Sequence, residues 1–396
     1  MLFRSTDLHG HVLNWDYFKN ADYADKAGNE IGLAQVRTLV EAVRAERSGP
    51  GELMVTLDAG DTIQGTPLAY YYARIDPITG GSTHPMARAM NLVGYDAAAL
   101  GNHEFNYGID TLRTFESQLD FPLLGANAVD PATKRPVFTP YVIKRFRVKN
   151  GPVLTVGVLG LTNPGIALWD KANVEGRMEF PGLVEQAKKY VPELTRRGCD
   201  IVVVSAHSGT DGSSSWGDAL PYTENASVLV AEQVPGIDAI LVGHAHKEIP
   251  DRHVTNAVTG DDVLLCEPLY WGMRVAVMDL DLELVRGRWK VVASHGQTLN
   301  SNVVDGDPAV LAAVREQHQT VVDYVNSPIG TSTTALSAER AVVEDVPIID
   351  FVQYVQADAV KAGLTGTDAA LPVLSIAAPF NRAARSEEHT SEVQSH

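Results

Sequence analysis

"DIVVVSAHSG", Asp200 to Gly209, decides the fold. A β-branched apolar run of strand length stops abruptly at a histidine, a serine and a glycine. The same design recurs in "LMVTLDAGD" (Leu53 to Asp61), "VLTVGVLGLTNPG" (Val153 to Gly165) and "AILVGHAH" (Ala239 to His246). Between these runs, "IGLAQVRTLVEAVRAERSG" puts Leu33, Val36, Leu39, Val40 and Val43 on one helical face. "PGLVEQAKKYVPELTRRG" repeats the pattern with Leu183, Ala187, Val191 and Leu194, and Pro192 is expected to kink it. Near-continuous apolar strands alternating with amphipathic helices predict an α/β fold whose main strands are covered on both sides. Polar ligands in such folds gather beyond the carboxyl ends of the strands.

The 396 residues exceed what one hydrophobic core usually organises, so one large domain and part of another are expected. A net charge of −17 argues against a polynucleotide-binding surface, which needs clustered Lys and Arg. A single phosphate remains possible if metal ions supply the positive charge. The two cysteines, Cys199 and Cys266, exclude a disulfide scaffold or a thiolate zinc site and read as buried core thiols. No apolar run reaches the ~18 residues of a transmembrane helix.

Five short motifs stand at strand-to-loop junctions: Asp7-Leu-His9, Gly60-Asp61, Gly101-Asn102-His103-Glu104, Ala206-His207 and Gly243-His244-Ala245-His246. Each alone is ordinary, since "GDT" is a common helix cap and a single histidine usually a satisfied core or loop residue. Together they form a nitrogen and oxygen donor set without sulfur, suited to Mn, Zn, Fe or Co. Residues two apart in an extended segment project to one side, so D-x-H and H-x-H could each deliver both members to one cluster. Seven candidate ligands (Asp7, His9, Asp61, Asn102, His207, His244 and His246) suit two divalent ions sharing a bridging carboxylate, for which Asp61 is the natural choice.

The ordered set D-x-H, G-D, G-N-H-E, A-H and G-H-x-H resembles the calcineurin-like metallophosphoesterases. More narrowly, "STDLHGHVLNWDYF", "GDTIQGTPLAYY", "HPMARAMNLVGYDAAALGNHEFNYGID", "FTPYVIKRF", "WDKANVEG" and "VGHAHKEIP" resemble the bacterial 2′,3′-cyclic-nucleotide 2′-phosphodiesterase/3′-nucleotidases of the 5′-nucleotidase superfamily. The likeness runs from about Ser5 to Ala384. It implies a calcineurin-like sandwich of two β-sheets flanked by helices, followed by the start of a C-terminal nucleotidase domain. Asp7, His9, Asp61 and His246 would hold one metal, and Asp61, Asn102, His207 and His244 the other. His103 would be the catalytic histidine, stabilising developing charge and protonating the departing ribose oxygen. Two cations would acidify a water for in-line attack, with no covalent enzyme intermediate.

Glu104 is read as an acid that holds the loop. Asn106 departs from the 5′-nucleotidase pattern, which commonly has an aspartate there, and matches the cyclic phosphodiesterase branch. An amide can orient an imidazole but cannot add charge to it. Among the remaining features, Tyr70 to Tyr72 are expected to pack a helix, Trp15 and Tyr17 to wall the cleft or join the core, and "TGGSTHP" to form a turn.

The implied activity is hydrolysis of 2′,3′-cyclic nucleotides to 3′-nucleotides and of these to nucleosides, with small-molecule nucleotides as partners. A 5′-nucleotidase or nucleotide-sugar hydrolase is the alternative, as is a metal- and nucleotide-binding fragment with little turnover. The expected organisation is a catalytic domain over 1–304, a linker helix region over 305–330, and the beginning of a truncated substrate-binding domain over 331–384. Within it, a helix from about Asp345 to Ala362 and a strand in "ALPVLSIAAP" (Ala370 to Pro379) are expected, with exposed apolar surface from about Val342 onward. The tail "RSEEHTSEVQSH" (385–396) resembles a translated sequencing adaptor and is read as non-native. Members of the resembled family are exported, whereas "MLFRSTDLHGH" lacks a signal peptide, so a missing upstream segment is expected.

Overall fold

A computed structural model describes residues 1–47, 49, 53–333 and 336–377. The tail at 385–396 lies outside the described residues. In chain order the strands are β1 (Leu2–Ser5), β2 (Val55–Asp58), β3 (Ala97–Ala99), β4 (Leu123–Leu124), β5 (Tyr141–Phe146) and β6 (Leu154–Leu161). They continue with β7 (Ile201–Ala206), β8 (Ala239–Val242), β9 (Glu248–Thr255), β10 (Asp262–Pro268), β11 (Arg274–Val285) and β12 (Arg288–Asn300). These strands form two mixed sheets, ordered β12-β11-β1-β2-β3-β4 and β5-β6-β7-β8-β10-β9. In the first, β1 to β4 run parallel; in the second, β6, β7, β8 and β10 do.

The period-two alternation of each strand builds the layers. Val203, Leu241 and Leu264 point between the sheets and meet Leu57, Ala97 and Leu124 of the first sheet. Their neighbours Val202, Val204, Ile240 and Val242 point outward, against the helix Leu183–Arg196 through Leu183, Ala187, Val191 and Leu194, and against Val230 and Ala231 of the helix Ser227–Gln233. Each such buried Val, Leu or Ile side chain contributes roughly 1.5–3 kcal/mol. The helix Leu183–Arg196 runs through Pro192. The helix Leu33–Glu46 buries Leu33, Val36, Leu39 and Val40, while Val43 is half-buried. Both cysteines are buried and unpaired.

Among the described residues, 1–15 and 22–321 form one compact unit, and 16–21 with those from 322 to 377 form a second. In the second, the helix Pro347–Gly363 buries none of its residues and exposes Phe351, Tyr354, Val355 and Val360. The strand expected from Ala370 does not form over its described part: 366–370 make a 3-10 turn and 371–377 have no strand pairing. An apolar run cannot make a strand without a neighbouring strand to bond to, and Leu374 and Ile376 remain exposed. The Tyr70 to Tyr72 triplet spans the junction of a helical turn with a π-helical one, Tyr72 facing inward and Tyr70 outward. Trp15 meets His318 edge-on, Tyr17 is buried, and "TGGSTHP" carries a 3-10 turn and the His84 cap of a helix. Among the described residues no helix is long and apolar enough to cross a membrane.

Candidate metal centre and active site

The parallel strands of both sheets deliver their following loops to the same end. Asp7 and His9 follow β1, Asp61 follows β2, Asn102 and His103 follow β3, His207 follows β7, and His244 and His246 follow β8. The loops are stitched to one another through their backbones: Asp7 N–H donates to Gly60 O at 2.9 Å and His9 N–H to Asp61 O at 2.8 Å. The Asp7 carboxylate accepts the His244 N–H, and Asp61 Oδ1 accepts the His103 N–H at 2.8 Å.

The expectation that D-x-H and H-x-H act through an extended pleat is corrected. Asp7, His9, His244 and His246 all have left-handed backbones, with φ of 51°, 47°, 76° and 54°, and Asp61 joins them at 60°. Such conformations cost about 1–2 kcal/mol each for residues with a Cβ. The chain leaves the extended pleat at each of these residues, so that Asp7 and His9 reach one donor group while His244 and His246 are sent to different ones. Five of the seven candidate ligands share this geometry, a concentration of strain typical of functional sites.

Three groups of donor atoms each lie within 4.8 Å of one another: Asp7, His9 and His246; His9, Asp61 and His103; Asp61, His207 and His244. Asp61 is shared by two of them. His207 Nε2 stands 2.9 Å from Asp61 Oδ2 and 3.1 Å from Asn102 Oδ1, while His246 Nε2 is 3.3 Å from Asp7 Oδ1. His9 Nε2 and His246 Nε2 face each other at 3.1 Å. The other nitrogen of His9 lies against Gln64 O at 3.0 Å and that of His207 against Ala59 O at 2.8 Å. A carbonyl accepts only, so each Nδ1 carries a proton. At His207 the Asp61 carboxylate outweighs burial and raises the imidazole to about 10, so Nε2 also holds a proton towards Asp61 Oδ2, while at His9 Nε2 turns a lone pair to the centre. Burial lowers His9 to about 4, which keeps that lone pair free. For Asp61, burial works against ionisation, but His207 and His103 hold its carboxyl well below the usual carboxylate range. The donor set is that of a divalent cation site.

Glu104 is almost fully buried and belongs to none of the three donor groups. Its two oxygens accept the backbone N–H groups of Gly101 at 2.6 Å, Asp61 at 2.9 Å and Thr62 at 2.5 Å. Space at this crossing demands glycine: a Cβ on Gly101 would lie 2.1 Å from Asp61 Oδ1, and one on Gly60, with φ of 98°, 2.3 Å from Gly101 N. His103 sits at the edge of the centre with Nε2 4.0 Å from Asp61 Oδ2 and a side chain 25% exposed. Its Nδ1 meets Asn106 Oδ1 at 2.6 Å.

Three contributors lack a strand-end signature in the sequence. Glu224 Oε1 lies 2.8 Å from His244 Nε2, leaving Nδ1 as the donor on the cluster side. Asp170 bonds Asn106. Trp169 stacks on His244 with ring centres 5.7 Å apart, much as Tyr270 stacks on His246 at 4.7 Å. "WDKANVEG" was visible as a motif, but its contacts were not.

Residues 5–248 match the calcineurin-like phosphoesterase family model. The chain belongs to that family. The chain is 34% identical to a 2′,3′-cyclic-nucleotide 2′-phosphodiesterase/3′-nucleotidase of Salmonella typhimurium over 99% of its own length and 62% of the relative's. It is also 34% identical to the trifunctional nucleotide phosphoesterase protein YfkN of Bacillus subtilis, over 97% of its length and 26% of that protein's. Thus the chain spans under two thirds of the length of these relatives. Among solved structures, the calcineurin-like phosphoesterase YfkN from Bacillus subtilis superposes with a TM-score of 0.72 at 33% identity, covering 82% of this chain and 98% of that one. The family match and the His/Asp clusters both point to divalent-metal binding at this centre.

Proposed function

We propose that this phosphoesterase opens 2′,3′-cyclic nucleotides to 3′-nucleotides and then removes the 3′-phosphate, using two divalent ions drawn from Mn, Zn, Co or Fe. The observation that carries the reading is the chain of three donor groups linked through His9 and Asp61, with His103 in the middle group. The 32–34% relatives bearing the cyclic phosphodiesterase name support this substrate over 5′-nucleotides, since the relatives named UshA match at 28–30% and over less of the chain.

Asp7, His9, Asp61 and His246 would hold one ion, and Asp61, Asn102, His207 and His244 the second. Bound there, the ions supply Lewis acidity to the phosphoryl oxygens and acidify a water. His103 holds no ion in this reading. It lies beside the ester with Nε2 towards the centre and gives a proton to the departing ribose oxygen. Glu104 keeps the Gly101 to His103 turn and the Asp61 turn in mutual register, which places His103 relative to the residues that would hold the ions. An exported location belongs to the same reading and is tested by fractionating cells that express the gene.

A chromatographic assay with 2′,3′-cyclic AMP, 3′-AMP and 5′-AMP in Mn²⁺ tests the substrate. Turnover of the first two is expected, and preference for 5′-AMP would overturn the choice. Failure to cleave bis-p-nitrophenyl phosphate with any of the four metals would favour a binding fragment without efficient turnover.

A further inference from the structure

Asn106 has two partners. Its Oδ1 lies 2.6 Å from His103 Nδ1, and its Nδ2 donates to Asp170 Oδ1 at 2.9 Å. Asp170 is buried, 5% exposed, at the joint between the helical turns Ile166–Trp169 and Lys171–Val174. A carboxylate accepts hydrogen bonds and an amide can turn either end to its neighbour, so Asp170 selects one of two orientations: nitrogen towards itself, oxygen towards His103. That oxygen accepts only, so Nδ1 of His103 keeps a proton and the ring presents Nε2 to the centre. The proton given to the leaving group is the second one, on Nε2 of the imidazolium, and its transfer leaves the Nδ1–H imidazole.

The same short segment grips the loop at a second point, because Asn173 Nδ2 donates to Phe105 O at 3.0 Å. Its Trp169 stacks on His244. One stretch, Trp169 to Asn173, therefore touches the histidine loop and the opposite side of the donor cluster together.

We propose that Asp170 is a positioning residue for leaving-group protonation, acting through Asn106 to fix which nitrogen of His103 faces the substrate. The proposal rests on the reading of His103 as proton donor. It also explains how an amide serves where the 5′-nucleotidase pattern has an acid: the acid stands one hydrogen bond further away.

The decisive experiment compares two leaving groups in the Mn²⁺-loaded chain. For Asp170→Ala, kcat on 3′-AMP should fall about 10–100-fold with little change in KM, as for other groups that orient a reacting residue. On bis-p-nitrophenyl phosphate, whose leaving group needs no proton, the fall should stay within about threefold. Asn106→Asp alone would set two carboxylates against each other and should lose activity as well. The double exchange of Asn106→Asp with Asp170→Asn restores one acid and one amide in reversed order and should recover most of the 3′-AMP rate. In the metal-free chain, ¹⁵N-histidine spectra assigned with His103→Gln should show the Nδ1–H form, becoming a mixture of forms in Asp170→Ala. Equal losses on both esters, or a double exchange as poor as the single variants, would overturn the proposal. Undiminished 3′-AMP turnover by His103→Ala would instead remove the reading beneath it, and the proposal with it.

Discussion

Glu104 Oε2 accepts the backbone N–H of Asp61 at 2.9 Å, so the residue shared by two donor groups is held by a carboxylate that belongs to neither. The same side chain takes the N–H groups of Gly101 and Thr62. Burial pushes its pKa up and the nearby Asp61 charge adds to this, while the three donors favour the ionised form. Glu104→Gln keeps the shape but replaces one acceptor oxygen with an N–H₂ group aimed at backbone donors. Loss of about 2–3 kcal/mol of stability is expected. Thermal melts with and without Mn²⁺ would measure it.

Asp61→Asn should do something different. It removes the charge common to two groups while leaving the loop's backbone bonds possible, so metal stoichiometry should drop and turnover fall by at least about 10³-fold. Elemental analysis after dialysis, set beside the rate, separates lost metal from lost catalysis.

Glu224 offers a milder perturbation. Its bond to His244 Nε2 fixes the tautomer that turns Nδ1 to the cluster. Glu224→Gln is expected to weaken metal binding about 10–100-fold without unfolding the chain. Calorimetric titration with Mn²⁺ reads this directly, and unchanged affinity would assign Glu224 to the Ser215 loop whose N–H it also accepts.

Asp58 gives a pH prediction. It is fully buried at the end of β2, and burial raises it from 3.8 to about 8 against the pull of Ser5 and the Gly60 N–H. The folded chain keeps this proton between about pH 4 and pH 8 while the unfolded chain has released it. Stability is thus greatest below the lower value and declines as pH rises through the window. Asp58→Asn removes the titration, so its melting temperature should gain on the native chain by about 2 °C or more between pH 5 and pH 8. Metal-free melts across that range provide the check.

Sequence pattern carried much of this molecule because the apolar strands are long and each ends in a residue of different chemistry. Val202 to Val204 are readable as a strand, and His207 as what comes after it. The sign of φ at His9 or His246 is not readable, since no side-chain pattern distinguishes a pleat from a left-handed turn between two ligands two residues apart. Glu224 and Asp170 lie in loops without periodicity, and a contact across 64 positions, such as Asn106 with Asp170, exists only after both sheets have packed. The strand expected after Ala370 fails over its described part for the opposite reason: the apolar run is real, but pairing is a property of two segments.

The left-handed residues at the centre have a consequence for anyone who tries to improve this protein. Glycine at positions 7, 9, 61, 244 and 246 would relax the chain where it is most contorted, and each replacement would also delete a candidate ligand. Directed evolution for heat resistance alone would accordingly erode the centre first. Selection must include turnover from the outset, because in this fold robustness and chemistry compete for the same five positions.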